Sequence, residues 1–162
     1  MNTHPEWRPL PALNQLVDAD PRLVRQLLGA VVTQQDGELG GHRFQRAETT
    51  GLGEALVRFE VSMLGRDLSS VERVTLDDTG LGFEQVTGYL EAVEERIDVV
   101  SEGDSTRLSY NGRYRPRPTF WGRLLGPSLV PMIYRRELRR TLRSIKLLAE
   151  RRQAGSAMFR RA

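Results

Sequence analysis

From Gly29 to Arg115 apolar side chains tend to recur at every second position, in short runs divided by Gly and Asp turns. Successive side chains of a strand point to opposite faces, so this pattern folds as an antiparallel meander. Past Arg115 the period changes. Pro116 and Pro118 end the last strand, because proline cannot donate to a ladder. From about Pro127 to Arg152 the apolar residues Tyr134, Leu138, Thr141, Leu142, Ile145, Leu148 and Ala149 form one stripe at i, i+3, i+4 and i+7 spacing. One curved sheet and one long helix are therefore the two bodies that must pack.

The N-terminal part is more broken. Residues 13–17 have β character. Asp20 reads as an N-cap with Pro21 at the first helical position, and 22–28 as a short helix ended by Gly29. Residues 30–33 read as a brief strand, with turn signals at Asp36 and Gly37 and at Gly40 and Gly41. Further strands are expected over 42–49, 55–64, 70–76, 81–87, 89–100 and 105–115. In the second of these Val57, Phe59, Val61 and Met63 share one face and Arg58, Glu60 and Ser62 the other. Residues 1–12 read as an irregular arm, 13–153 as one domain and 154–162 as a frayed tail.

A helix of about 25 residues is about 37 Å long and must bury its apolar face. The concave face of the sheet is the only large partner available. A strongly twisted sheet does not close fully on a single helix, so a cavity is expected between them. The fold class is α+β.

Three stretches carry a family resemblance: Val71-Glu72-Arg73-Val74-Thr75-Leu76; Gly103-Asp104-Ser105-Thr106-Arg107-Leu108-Ser109-Tyr110; and Trp121-Gly122-Arg123-Leu124-Leu125-Gly126-Pro127 leading into Arg135-Arg136-Glu137-Leu138-Arg139-Arg140-Thr141-Leu142. They resemble the polyketide cyclase/dehydrase and lipid-transport group of the START/Bet v 1-like (SRPBCC) superfamily, over residues 54–152. The resemblance implies a helix-grip fold and a hydrophobic ligand: a lipid, a quinone or a polyketide-like molecule. The group includes aromatic polyketide cyclases, coenzyme Q-binding proteins, ribosome-association toxins and lipid carriers. It shares no single catalytic motif, so no residue here takes a catalytic role from it. Two short helices usually precede the second strand in this group, whereas here only 21–28 is long enough for one.

Charge is segregated. Residues 1–116 hold 12 basic and 19 acidic side chains, and residues 117–162 hold 12 basic and 2 acidic ones. Arg135, Arg136, Arg139, Arg140 and Arg143 fall mostly off the apolar stripe. Such a run usually marks a solvated face, and its alternative use is transient contact with an anionic membrane surface or RNA. Few aromatics accompany it for stacking on bases. The chain has no Cys and two His, which excludes disulfides, thiol chemistry, Cys-ligated zinc and multi-histidine metal sites. No metal or cofactor is expected. No apolar run approaches the 18 or so residues of a membrane span. Residues 1–11 lack the basic start and apolar stretch of a signal peptide, so a cytoplasmic location is expected.

Phe59, Phe83, Tyr110 and Tyr114 occupy alternating strand positions, and Leu125, Leu129 and Met132 surround the start of the long helix. They are the candidate ligand-binding residues, against the plainer reading of core packing. An inward tyrosine needs a hydrogen-bond partner, which a ligand can supply. Glu60, Glu84, Glu91 and Glu95 are candidate acids or bases, although most strand carboxylates face water. His42 is a candidate base, or an exposed loop histidine. Gly51-Leu52-Gly53 reads as a turn, since no helix follows to dock a phosphate.

Three functions remain: a carrier of a hydrophobic molecule, a cyclase- or dehydratase-like enzyme, and a regulator contacting RNA or protein through the basic helix. A carrier needs an almost wholly apolar inner face. An enzyme needs at least two convergent titratable groups in the cavity. A nucleic-acid partner requires binding that weakens steeply with salt.

Overall fold

Asp20 and Pro21 start the first helix as their chemistry dictates, the Asp20 carboxylate accepting from the Arg22 N–H at 2.7 Å. The computed structural model of the protein describes residues 6–63, 66–117 and 126–159. Its strands are β1 (Arg8–Pro9), β2 (Leu13–Val17), β3 (Asp36–Leu39), β4 (His42–Gly51), β5 (Glu54–Met63), β6 (Arg66–Leu76), β7 (Gly80–Thr87), β8 (Ala92–Glu102) and β9 (Ser105–Arg115). The helices are α1 (Pro21–Thr33), between β2 and β3, and α2 (Gly126–Phe159), which follows β9. One antiparallel sheet runs β1-β9-β8-β7-β6-β5-β4-β3, and β2 also pairs with β9.

The inner face of the sheet follows the alternation of the sequence. Val57 and Phe59 on β5, Val74 on β6, Leu81 on β7, Val93, Ile97 and Val99 on β8 and Leu108 and Tyr110 on β9 are buried. They pack with Val24, Leu28 and Val31 of α1 and with Leu142, Ile145 and Ala149 of α2. Each large apolar side chain so buried contributes about 1.5–3 kcal/mol.

Helix α2 reaches both rims of the sheet. At one rim Lys146 Nζ donates to the Leu16 carbonyl at 2.9 Å and to Glu150 at 2.6 Å, while Glu150 accepts from the Asp18 N–H at 2.9 Å. At the other rim Gly40, in the β3–β4 turn with φ +62°, lies so close that a Cβ there would sit 2.3 Å from Thr141 Cγ2. The curved sheet thus grips the helix, in the helix-grip arrangement.

Several local expectations change. The first helix does not stop at Gly29 but runs to Thr33, so 30–33 is helical rather than a strand. Gly29 serves packing instead of capping: a Cβ there would meet Leu76 Cδ2 at 3.2 Å. Asp36 and Gly37 lie within β3, and the turn falls at Gly40 and Gly41, both with positive φ. The arm is not wholly irregular, because Arg8 and Pro9 pair with Tyr114 and Arg113. Tyr89 lies in the bend between β7 and β8, not in a strand. Residues 154–159 continue α2 instead of fraying. Leu148, assigned to the apolar stripe, is exposed.

Candidate functional site

On β8 the buried residues Val93, Ile97 and Val99 fix which side chains point inward, and Glu95 shares their parity. On β6 Ser70 and Val74 are buried, and Glu72 lies between them on the same face. Both carboxyls therefore enter the space between sheet and helix. That space is a cavity of about 120 Å³. Its walls are the rings of Phe59, Phe83, Tyr89, Tyr110 and Tyr134, and Leu138 closes it from α2. Phe83 meets Phe59 edge-on, with 6.0 Å between ring centroids. For comparison, a dry engineered cavity of about 150 Å³ holds one benzene, and pockets for drug-sized ligands run from about 300 Å³ upward.

A short polar network crosses this apolar shell. Tyr110 Oη donates to Glu95 Oε1 at 2.6 Å, and Ser70 Oγ donates to Glu72 Oε1 at 2.7 Å. Burial, and then the charge of Glu72, push the Glu95 carboxyl up to about 8, against the opposing pull of the Tyr110 hydrogen bond. Burial also raises Glu72, with the Ser70 hydrogen bond opposing it. Tyr89 is pushed up to about 12, first by burial and then by the charges of Glu72 and Glu95. Tyr110 and Tyr134 are raised by burial and then by Glu95. Glu95 thus keeps its proton through much of the neutral range.

His42 lines the same cavity from the start of β4. Its Nε2 lies 2.9 Å from Thr141 Oγ1, and its Nδ1 is buried without a hydrogen-bond partner. Burial lowers its pKa, so the ring is held neutral. It is not an exposed loop residue.

Of the candidate ligand residues, Phe59, Phe83 and Tyr110 line the cavity. Tyr114 is fully buried elsewhere, at the end of β9 opposite Arg8 of β1. Leu129 and Met132 are exposed, at 37% and 62%, and do not line it. The inward stripe of α2 passes through Tyr134, Leu138 and Thr141, and at 100° per residue Met132 falls about 200° from Tyr134. Leu125 lies outside the described residues. Of the four named carboxylates only Glu95 turns inward. Glu60 is exposed, Glu84 pairs with Arg73 at 2.9 Å on the outer face, and Glu91 pairs with Arg115 at 3.5 Å. Arg135, Arg136, Arg139, Arg140 and Arg143 are all exposed along α2.

The sequence reading missed Glu72, Ser70 and Tyr89 as site residues. For Glu72 the available signal was its even spacing from Val74. Among the described residues no group of three or more His, Asp or Glu is placed to hold a metal ion, and no helix is long and apolar enough to cross a membrane.

Known structures share this architecture. The START superfamily protein from Mycobacterium smegmatis superposes with a TM-score of 0.70 at 16% identity, over 89% of this chain and 99% of that one. The Zhui aromatase/cyclase from Streptomyces sp. R1128 gives 0.70 at 19% identity, over 91% and 96%. The major latex-like protein 151 from Panax ginseng gives 0.63 at 16% identity, over 88% and 97%. No protein-family model matches the chain, and no curated protein matches it in sequence. At these identities the likeness establishes the fold, which is that of START/Bet v 1-like proteins.

Proposed function

We propose that the protein binds a compact, largely apolar small molecule between α2 and the inner face of the sheet, with its polar end at Glu95 and Glu72. The observation that carries this reading is the aromatic-walled cavity into which both carboxyls turn. Burial of apolar ligand surface drives binding at about 25 cal/mol per Å². The volume suits a molecule the size of a single ring. A long lipid or a multi-ring polyketide exceeds it.

A second reading, proton transfer of the cyclase or dehydratase kind, draws on the same pair. Two convergent titratable groups are what a pure carrier does not need. Glu95 holds a proton near neutral pH and can give it to a leaving hydroxyl, which departs as water, while Glu72, once ionised, takes the proton from the adjacent carbon. The aromatase/cyclase among the structural neighbours supports this reading without deciding it.

Native mass spectrometry of freshly purified protein tests the binding reading. A small co-purified adduct is expected in the native protein and not in Leu138→Trp, which fills the cavity. An adduct that persists unchanged in the filled variant would place the ligand elsewhere. If the second reading holds, Glu95→Gln loses turnover by about 10²–10⁴-fold beyond any loss of binding.

A further inference from the structure

Charge balance in the cavity goes further than its shape. Three carboxyls line it, Glu72 from β6, Glu95 from β8 and Glu137 from α2, and among the described residues no Lys or Arg does. Several other carboxylates of the sheet are matched to cations: Asp77 and Asp98 to Arg96, Glu84 to Arg73, Glu94 to Arg113. The neighbours of Glu72 and Glu95 are instead hydroxyls and rings. Ser70 and Tyr110 each donate one hydrogen bond, and the rings of Phe59, Phe83, Tyr89 and Tyr134 form much of the wall around them. The negative faces of aromatic rings attract cations, and most strongly where water is excluded. Carboxyls without a counter-cation, inside an aromatic shell and beside an open volume, make a receptor for positive charge.

We propose that the natural ligand carries a cationic nitrogen, as a small aryl or alkyl ammonium, which enters between Glu72 and Glu95 with its apolar body against Phe59 and Phe83. This assignment rests on the ligand-binding reading of the cavity and does not depend on proton transfer. A bound ammonium favours the ionised form of Glu95, so its binding releases a proton. The groups facing Glu95 are Glu72 from β6, Tyr89 from the β7–β8 bend, Tyr110 from β9 and Tyr134 from α2. With the tyrosine pKa values all raised, the proton comes from the carboxyl pair.

Calorimetric titration with benzylammonium and with benzyl alcohol, its neutral counterpart of nearly the same size, tests this. At pH 7 the ammonium is expected to bind about tenfold more tightly than the alcohol, within the range of a desolvated cation–π contact. Its binding enthalpy should vary with the ionisation enthalpy of the buffer, which reports proton release, whereas that of the alcohol should not. Glu95→Gln and Glu72→Gln should each remove the preference for ammonium, weakening its binding by more than that of the alcohol. Equal binding of the two probes, or preference for the alcohol, overturns the cationic assignment and leaves the binding reading standing. If neither probe binds while the chain is folded by circular dichroism, both fall.

Discussion

Tyr110 reaches diagonally across the β8–β9 ladder: its backbone pairs with Ile97, yet its hydroxyl donates to Glu95 at 2.6 Å. The contact ties an apolar core strand to the carboxyl that enters the cavity. Burial of that carboxyl couples stability to pH. The folded Glu95 carboxyl is raised to about 8, above its value in the unfolded chain, so the folded state holds the proton more tightly. Stability is therefore fully present below the unfolded value, near 4.5, and falls as pH rises through about 8. The slope within that window is up to about 1.4 kcal/mol per pH unit. Urea denaturation between pH 5 and 9, with the pH values chosen as about one-unit steps across the window, should show this decline in the native protein and a flatter profile in Glu95→Gln. An unchanged slope in the variant would assign the decline to another group.

Tyr110→Phe removes the donor and keeps the ring. Loss of a hydrogen bond to a buried carboxyl costs about 1–3 kcal/mol. That bond pulls the Glu95 pKa downward, so the variant should titrate at higher pH than the native protein. Carbon-13 NMR of the glutamate carboxyls reads the shift, and a downward movement would contradict the geometry.

Phe59 is buried, whereas Arg139 lies on the exposed side of α2. Phe59→Asp should cost at least about 3–5 kcal/mol through lost packing alone, and more through a further carboxylate in the cavity that holds Glu72 and Glu95. Arg139→Glu should change stability by no more than about 0.5 kcal/mol. Thermal melts showing equal losses would refute the assignment of inner and outer faces.

Gly40 and Gly103 share a φ of +62°, but only Gly40 lies against α2, while a Cβ at Gly103 meets nothing within 4 Å. Alanine at either position carries the left-handed backbone cost of about 1–2 kcal/mol. At Gly40 an overpacking cost of about 1–3 kcal/mol is added, because the Thr141 backbone as well as its side chain must retreat. Denaturation midpoints of the two variants should differ by that second amount. Similar midpoints would mean that α2 does not press on the β3–β4 turn.

The sequence showed the sheet and the long helix because their signals are periodic and their ends are chemically marked. β9 was legible to the residue, bounded by Gly103 with its positive φ and by Pro116. Gly29 misled because a glycine at a helix end and a glycine pressed against Leu76 look alike until the tertiary neighbour is known. Phe59, Phe83 and Tyr110 were legible as inward residues from strand parity. Glu72 was not, since the apolar residues around it, Val71 and Val74, are an odd number apart and the ladder shifts register between Val71 and Glu72. Tyr89 was hidden by a bend that reads as strand. Leu129 and Met132 were grouped with the cavity by hydrophobicity alone, without the helical angle that turns Met132 to solvent.

A crystal structure with the tightest-binding single-ring compound tests the central claim most directly. The account predicts electron density for the compound between α2 and the inner face of β5–β9, with its polar atom within hydrogen-bond distance of Glu95 or Glu72. Density only at the outer surface, with the side chains of Phe59, Phe83 and Tyr134 closed over an unfilled core, would contradict it.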